Sequence, residues 1–274
     1  MSETPASSAA RARSIMVATP LYDGAQYEYL RAILGLVNAS QRRGVDCAFS
    51  FVANNASIAL ARDLLVGSFL GSQAQFLVFV DNDIGFDPEA LIGLVDLMAG
   101  DERLGIVGAP CPKRQVNWEM VAAAAARGLA DGAPAELERF SGAFTLELAD
   151  PQATFRVDQP VEVTRIGTGL LAIRREVILD LVQRHPELRF SPDPHDRLPG
   201  MVEGPLTALF HPLIETPGGR LLSEDFSFCH RARAAGHRIW AAPWLRSSHT
   251  GPARFTGALA DLARLSAAPS PSPA

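Results

Sequence analysis

The chain has 274 residues, 47% hydrophobic and 20% charged, which is enough apolar material for a real core in a globular protein. Its formal net charge is −5, from 25 basic and 30 acidic residues. No Lys/Arg run or basic stripe accompanies it, which argues against nucleic acid as a partner. No apolar run approaches the ~20 residues needed to span a bilayer, so no transmembrane segment is expected. Residues 1–13 are polar, lack the apolar stretch of a secretory signal and read as a flexible leader. The three cysteines, Cys47, Cys111 and Cys229, are odd in number and lack metal-ligand spacing. They read as reduced, mostly buried thiols of a cytoplasmic protein.

From residue 14 the pattern alternates strand and helix. A strand over 15–18 is closed by Thr19-Pro20, and a helix from about Tyr27 carries Tyr29, Ile33, Leu36 and Val37 on one face. A second strand covers 48–52. Ser57 can cap a helix with Ile58, Ala61, Leu65 and Phe69 on its apolar side. The run Phe76-Leu77-Val78-Phe79-Val80 is short and β-rich, so it predicts a buried strand, and it ends in Asp81-Asn82-Asp83. Asp87-Pro88-Glu89 opens the next helix, with Leu91, Leu94, Val95 and Met98 facing the core, and a strand over 105–109 follows. This series argues for an α/β fold, one domain with a largely parallel sheet.

The pattern then loosens, with a helix near 118–127 and strands near 144–148 and 161–166. A strand over 169–174 and a helix over 176–184 come next. Residues 186–220, rich in Pro, Gly, His and Asp, read as a long functional loop. Ser223 caps a helix ending at Gly236, and a strand covers 238–241. Residues 258–274 read as a helical remnant and a disordered tail.

Ligands of α/β sheets sit beyond the carboxyl ends of the strands, where Asp81 and Asp83 lie. Two carboxylates there either cap turns or hold a hard divalent cation, which in turn can hold a diphosphate. Glu224 and Asp225 either meet a helix dipole or supply a general base held ionised at a helix start. His249 is a candidate further metal ligand through its neutral imidazole, and carboxylate plus imidazole favours Mn2+ over Mg2+. Gly167-Thr168-Gly169 can bring backbone close to a sugar or phosphate. Arg62, Lys113 and Arg114 are candidate anion contacts, and Trp118, Trp240 and Trp244 candidate stacking faces.

In this order the motifs resemble those of a GT-A-fold, DXD-containing nucleotide-sugar glycosyltransferase of the inverting family-2-like group. The segments are Val17-Ala18-Thr19-Pro20, Phe79-Val80-Asp81-Asn82-Asp83, residues 167–174, residues 224–229 and His249-Thr250-Gly251. The resemblance covers residues 14–257. It implies a Rossmann-like three-layer sandwich with a nucleotide-binding half over 14–112 and an acceptor half over 161–257. It also implies donor contacts from Thr19, Pro20, Tyr22, Arg62, Asp81, Asn82, Asp83, Lys113, Gly167, Thr168 and Gly169. Asp81, Asp83 and His249 would hold Mn2+ (or Mg2+), and Asp225, with Glu224 beside it, would be the catalytic base. The partners implied are a UDP- or GDP-linked sugar and a glycan, protein or small-molecule acceptor, with a homo-oligomer left open. A nucleotidyltransferase would carry a basic Gly-rich loop after the first strand, where this chain has Thr19-Pro20-Leu21-Tyr22-Asp23-Gly24. A haloacid-dehalogenase-like phosphatase would carry its Asp pair on the first strand. A non-catalytic nucleotide- or glycan-binding homologue would not need Asp81, Asp83 and Asp225 intact.

Overall fold

The computed structural model describes residues 13–251, 255–260 and 263. Most of the expected leader and tail lies outside the described residues. In chain order the structure contains β1 (Ser14–Leu21), α1 (Tyr27–Arg43), β2 (Asp46–Ala53), α2 (Ile58–Gly71), β3 (Phe76–Val80), β4 (Ile84–Phe86), α3 (Pro88–Gly100) and β5 (Ile106–Gly108). Then come β6 (Pro112–Val116), α4 (Trp118–Ala126), β7 (Gly142–Phe144), β8 (Leu146–Leu148), β9 (Val161–Ile166), β10 (Leu170–Arg174) and α5 (Arg175–Arg184). The remainder comprises β11 (Arg189–Phe190), β12 (Leu206–Thr207), β13 (Leu213–Glu215), β14 (Arg220–Leu222), α6 (Glu224–Ala234), β15 (Ile239–Ala241), β16 (Ser247–His249) and β17 (Phe255–Gly257).

Among the described residues the central sheet has eight strands in the order β2-β1-β3-β10-β5-β15-β9-β8. β1 pairs in parallel with β2 and β3, and β15 with β5. β10 runs against β3 and β5, and β9 against β15 and β8, so the mostly parallel sheet carries two reversed strands. Successive side chains of a strand point to opposite faces, and here both faces are covered. On β3, Phe76, Val78 and Val80 join a core with Tyr29 and Leu36 of α1 and Leu91 and Met98 of α3. Leu77 and Phe79 join the other core, with Leu64 and Phe69 of α2, Ile178 of α5 and Phe228 of α6. That double burial is why β3 is an unbroken apolar run. The result is a three-layer α/β/α domain, and no helix among the described residues is long and apolar enough to cross a membrane.

The helix starts follow local chemistry. The Ser57 hydroxyl accepts the Leu60 N–H, and Asp87 accepts the Glu89 N–H with Pro88 in the first helical position. Ser223 stands at the N-cap of α6, but its hydroxyl makes no capping hydrogen bond, contrary to expectation. Helix α2 is buried from Ala61 to Phe69, not along one stripe, because the 186–220 segment covers its outer side. The strand expected near 144–148 is two, β7 pairing with β6 and β8 with β9.

The 186–220 segment is not an open loop. β11 and β12 pair within it, and the Val202 N–H donates to the Gly67 carbonyl of α2 at 3.0 Å. A Cβ at Gly71 would overlap the Gly200 carbonyl oxygen, so only glycine lets the two backbones meet there. Asp63 accepts the Phe210 N–H at 3.0 Å, and Arg231 of α6 donates to the Leu209 carbonyl at 2.8 Å. Burial pushes the Asp63 carboxyl up to about 7, against the pull of the Phe210 N–H and the Arg231 charge.

Asp63 thus holds a proton more tightly folded than unfolded, where it titrates near ~3.9. Its stabilising contribution is full below that value and is lost as pH rises toward about 7. Asp63→Asn keeps an acceptor for the Phe210 N–H and should flatten the decline in stability across that window. Urea midpoints at stepped pH read this, and an unchanged slope in the variant would show that Asp63 is not the titrating group.

Candidate active site

The site forms where β3 ends. Asp81 follows its last residue, and the Asp81 N–H donates to the Gly169 carbonyl at 3.0 Å, joining Asp81-Asn82-Asp83 to the Gly167-Thr168-Gly169 turn before β10. A Cβ on Gly169 would stand 3.7 Å from Asp81 Oδ2, and one on Gly167 3.6 Å from Asp225 Oδ2. Thr168 is fully buried, and its hydroxyl donates to Asp225 Oδ1. Asn82 is structural on both sides: its carbonyl accepts the Gln26 N–H at 2.9 Å, and its side-chain amide donates to the Gly24 carbonyl.

Beneath these groups lies Arg62, whose side chain is 2% exposed. One guanidinium nitrogen, Nη2, reaches Asp81 Oδ1 at 3.1 Å and Oδ2 at 3.2 Å. The other, Nη1, lies 3.7 Å from Glu224 Oε1 and 3.6 Å from Asp225 Oδ1. The rings of Phe79 and Phe210 lie 5.9 and 6.0 Å from its central carbon. Burial works against the Arg62 charge, but Asp81, Asp225 and Glu224 together outweigh it and hold the guanidinium firmly protonated. Burial also pushes the Asp81 and Glu224 carboxyls up, and Arg62 pulls both back. The sequence assigned Arg62 a donor contact. At this depth it faces the carboxylates from below and does not line the cavity.

A second cluster surrounds Asp83, which is itself buried. β4 pairs with β16 so that His249 stands opposite Ile84, and the Thr250 N–H donates to the Asp83 carbonyl at 2.8 Å. His249 Nδ1 donates to the Pro112 carbonyl at 2.7 Å, which leaves the Nε2 lone pair 3.2 Å from Asp83 Oδ2. Arg114 donates from Nε to that Nε2 at 2.9 Å and pairs with Asp83 through Nη2. Burial lowers the imidazole pKa, which keeps His249 neutral.

Residues from both clusters open onto a cavity of about 330 Å³ lined by Pro20, Tyr22, Asn55, Asp81, Asp83 and His249, among others. Two carboxylates, Asp81 and Asp83, line it with one guanidinium, Arg114, an excess of negative charge suited to a cation. A neutral imidazole whose far nitrogen is tied to a carbonyl is the usual arrangement of a metal-ligating histidine. No group of three His, Cys, Asp or Glu among the described residues is placed to hold an ion. The donor set therefore fits Mn2+ or Mg2+ only where water or a ligand's oxygens complete the shell. Both Asp81 oxygens are turned to Arg62, so Asp83 and His249 are the pair that would hold a cation.

Not every expected residue reaches the cavity. Thr19 is fully buried, its hydroxyl 2.8 Å from that of Tyr29, and Lys113 is exposed on β6. Trp118 is exposed on α4, Trp240 donates to the Arg103 carbonyl at 3.3 Å, and Trp244 lines a separate cleft near Pro88. Asn55, just beyond β2, lines the cavity and was not anticipated. Its position past the carboxyl end of a central-sheet strand was the available signal.

No protein-family model matches the chain, and no curated protein matches it. Among solved structures, A197 from STIV aligns over 90% of this chain and 91% of its own, at 13% identity and a TM-score of 0.46. A glycosyltransferase involved in the glycosylation of the major capsid of PBCV-1 aligns over 61% of this chain and 62% of its own, at 8% identity and a TM-score of 0.28. Both likenesses are too loose to bear on function, which rests on the geometry above.

Arg62→Met removes the cation and leaves three carboxylates crowded around an apolar side chain. Breaking a buried ion pair from one side costs about 3–5 kcal/mol, and a loss of that size is expected in the unfolding free energy. A loss below about 1 kcal/mol, typical of solvated surface pairs, would show that water already screens these carboxylates.

Proposed function

We propose that this chain is a metal-dependent glycosyltransferase that moves a sugar from a UDP- or GDP-linked donor to an acceptor hydroxyl, with inversion. The observation that carries this reading is the convergence of Asp81 and Asp225 on the one guanidinium of Arg62, with Asp83 and His249 facing the adjoining cavity. Pro20, Tyr22 and Asn55 would receive the nucleoside. Asp83 and His249 would hold Mn2+, or Mg2+, whose role when bound is to neutralise charge on the diphosphate leaving group. The three unpaired cysteines fit a reducing, cytoplasmic setting.

Asp225 would take the proton of the acceptor hydroxyl as that oxygen bonds to the anomeric carbon and the bond to the diphosphate breaks. Its Oδ1 is held by Thr168 and Arg62, which fixes the carboxylate in place. Its Oδ2 faces Gly167, where no side chain fills the space. Glu224 adds negative charge beside it. The nucleotide-binding half, residues 14–112, would thus supply Asp83 to the cation site, and the acceptor half, residues 161–257, would supply His249 and the base.

Calorimetric titration of UDP, GDP, CMP and dTDP, with Mn2+ and then with EDTA, tests the donor site. One nucleotide should bind only with metal, and Asp83→Ala should abolish that binding. Unchanged metal-dependent affinity in Asp83→Ala would sink the assignment. Asp225→Asn should bind nucleotide normally and lose on the order of 10²–10⁴ in kcat, the worth of a positioned base. Near-normal turnover in Asp225→Asn would remove Asp225 from the chemistry.

A further inference from the structure

We propose that Arg114 is a built-in counter-ion that closes the cation seat of Asp83 and His249 until a nucleotide diphosphate draws it away. This rests on the cation site of the transferase reading and concerns what occupies that site before the donor arrives.

A divalent cation on this pair needs the His249 Nε2 lone pair and a carboxylate oxygen of Asp83, which stand 3.2 Å apart. Arg114 uses both. Its Nε donates to His249 Nε2 at 2.9 Å, and its Nη2 pairs with Asp83 Oδ2. A guanidinium and a metal ion cannot share these atoms, because each takes the same lone pair and the two cations repel. The strand β6 serves both states. Its Pro112 carbonyl fixes the His249 tautomer that a metal requires, and two residues on it presents the cation that stands in the metal's place.

Arg114 is also free to leave. Its side chain is 53% exposed. The pairing of β6 with β7 runs from Pro112↔Phe144 to Val116↔Gly142 with an irregular register between, so Lys113, Arg114 and Gln115 bulge out of the ladder. Bulges of this kind re-aim side chains beside active sites. Arg114 lines the same cavity as Tyr22 and Asn55, so a diphosphate seated there lies within its swing. Arginine matches phosphate oxygens through two parallel N–H donors, so the guanidinium can exchange the Asp83 carboxylate for an anionic ligand of equal fit. Metal and nucleotide would then bind cooperatively, each favouring the state with Arg114 withdrawn.

The test is Mn2+ binding to the full chain, read by the electron paramagnetic resonance of free Mn2+, first without nucleotide and then with saturating UDP or GDP. A seat open a tenth of the time weakens apparent affinity about tenfold, so Arg114→Met should bind Mn2+ alone at least about tenfold more tightly than wild type. Arg114→Lys, which keeps charge without the fork, should fall between them. Saturating nucleotide diphosphate should close the gap, because Arg114 has then left the seat in wild type as well. Equal or weaker Mn2+ affinity in Arg114→Met overturns the proposal, as does Mn2+ binding in Arg114→Met that survives a second change, Asp83→Asn. No sugar transfer is read, so failure of the transferase reading in acceptor screens and failure of this proposal are separate results.

Discussion

A guanidinium with almost none of its surface in water must find its counter-charges inside the protein, and Arg62 finds three. Asp81 comes from the end of β3, and Glu224 and Asp225 from the first turn of α6. Taking any of these charges out of water alone is costly, and together they compensate. The arrangement works only if the carboxyl end of β3, the middle of α2 and the start of α6 stay in register to within an ångström or so. The layer packing supplies that precision. Phe79, Phe210 and Phe228 form an aromatic shelf beside the guanidinium, with Phe210 stacked on Phe228 at 4.7 Å. The same Phe210 has its N–H held by Asp63, one residue along α2. One turn of one helix therefore positions the carboxylates and anchors the segment that covers them.

The Asp83 cluster has a different physical character. Its parts are joined by short pieces of strand: β4 against β16, and the Pro112 carbonyl of β6 against His249. Its cation, Arg114, is largely solvated where Arg62 is sealed. A buried ion pair resists change because removing either member strands the other, whereas an exposed one contributes little and exchanges readily. The cavity thus has one fixed wall, built on Arg62, and one adjustable wall, built on Arg114.

Much of the framework was legible in the residues. The unbroken apolar run at β3, the capping chemistry at Ser57 and Asp87 and the periodicity of α1 and α3 are local signals, and each corresponds to an observed element. The two-residue strands, β4 and β6 were not legible, and β7 was merged with β8, because segments this short are stabilised by partners distant in sequence. The same holds for the direction of β10, whose composition matches its parallel neighbours and whose reversal depends on where the chain enters the sheet. Ser223 looked like a cap, yet its hydroxyl makes no capping bond.

By itself, the sequence determined the alternation of strands and helices, the acids at the end of β3 and at the start of α6, and the presence of a histidine after Trp244. Those follow from periodicity and local hydrogen-bonding chemistry, which act over a few residues. Only the tertiary structure decided that Arg62 is sealed beneath the acids, that Thr168 and Arg62 hold Asp225, that Thr19 turns into the core, and that Arg114 covers His249. Each of these depends on which groups distant in sequence are brought together, and the first three on a volume closed to water. There an unpaired charge is costly, so the positions of the charged partners are set by the packing of the whole chain.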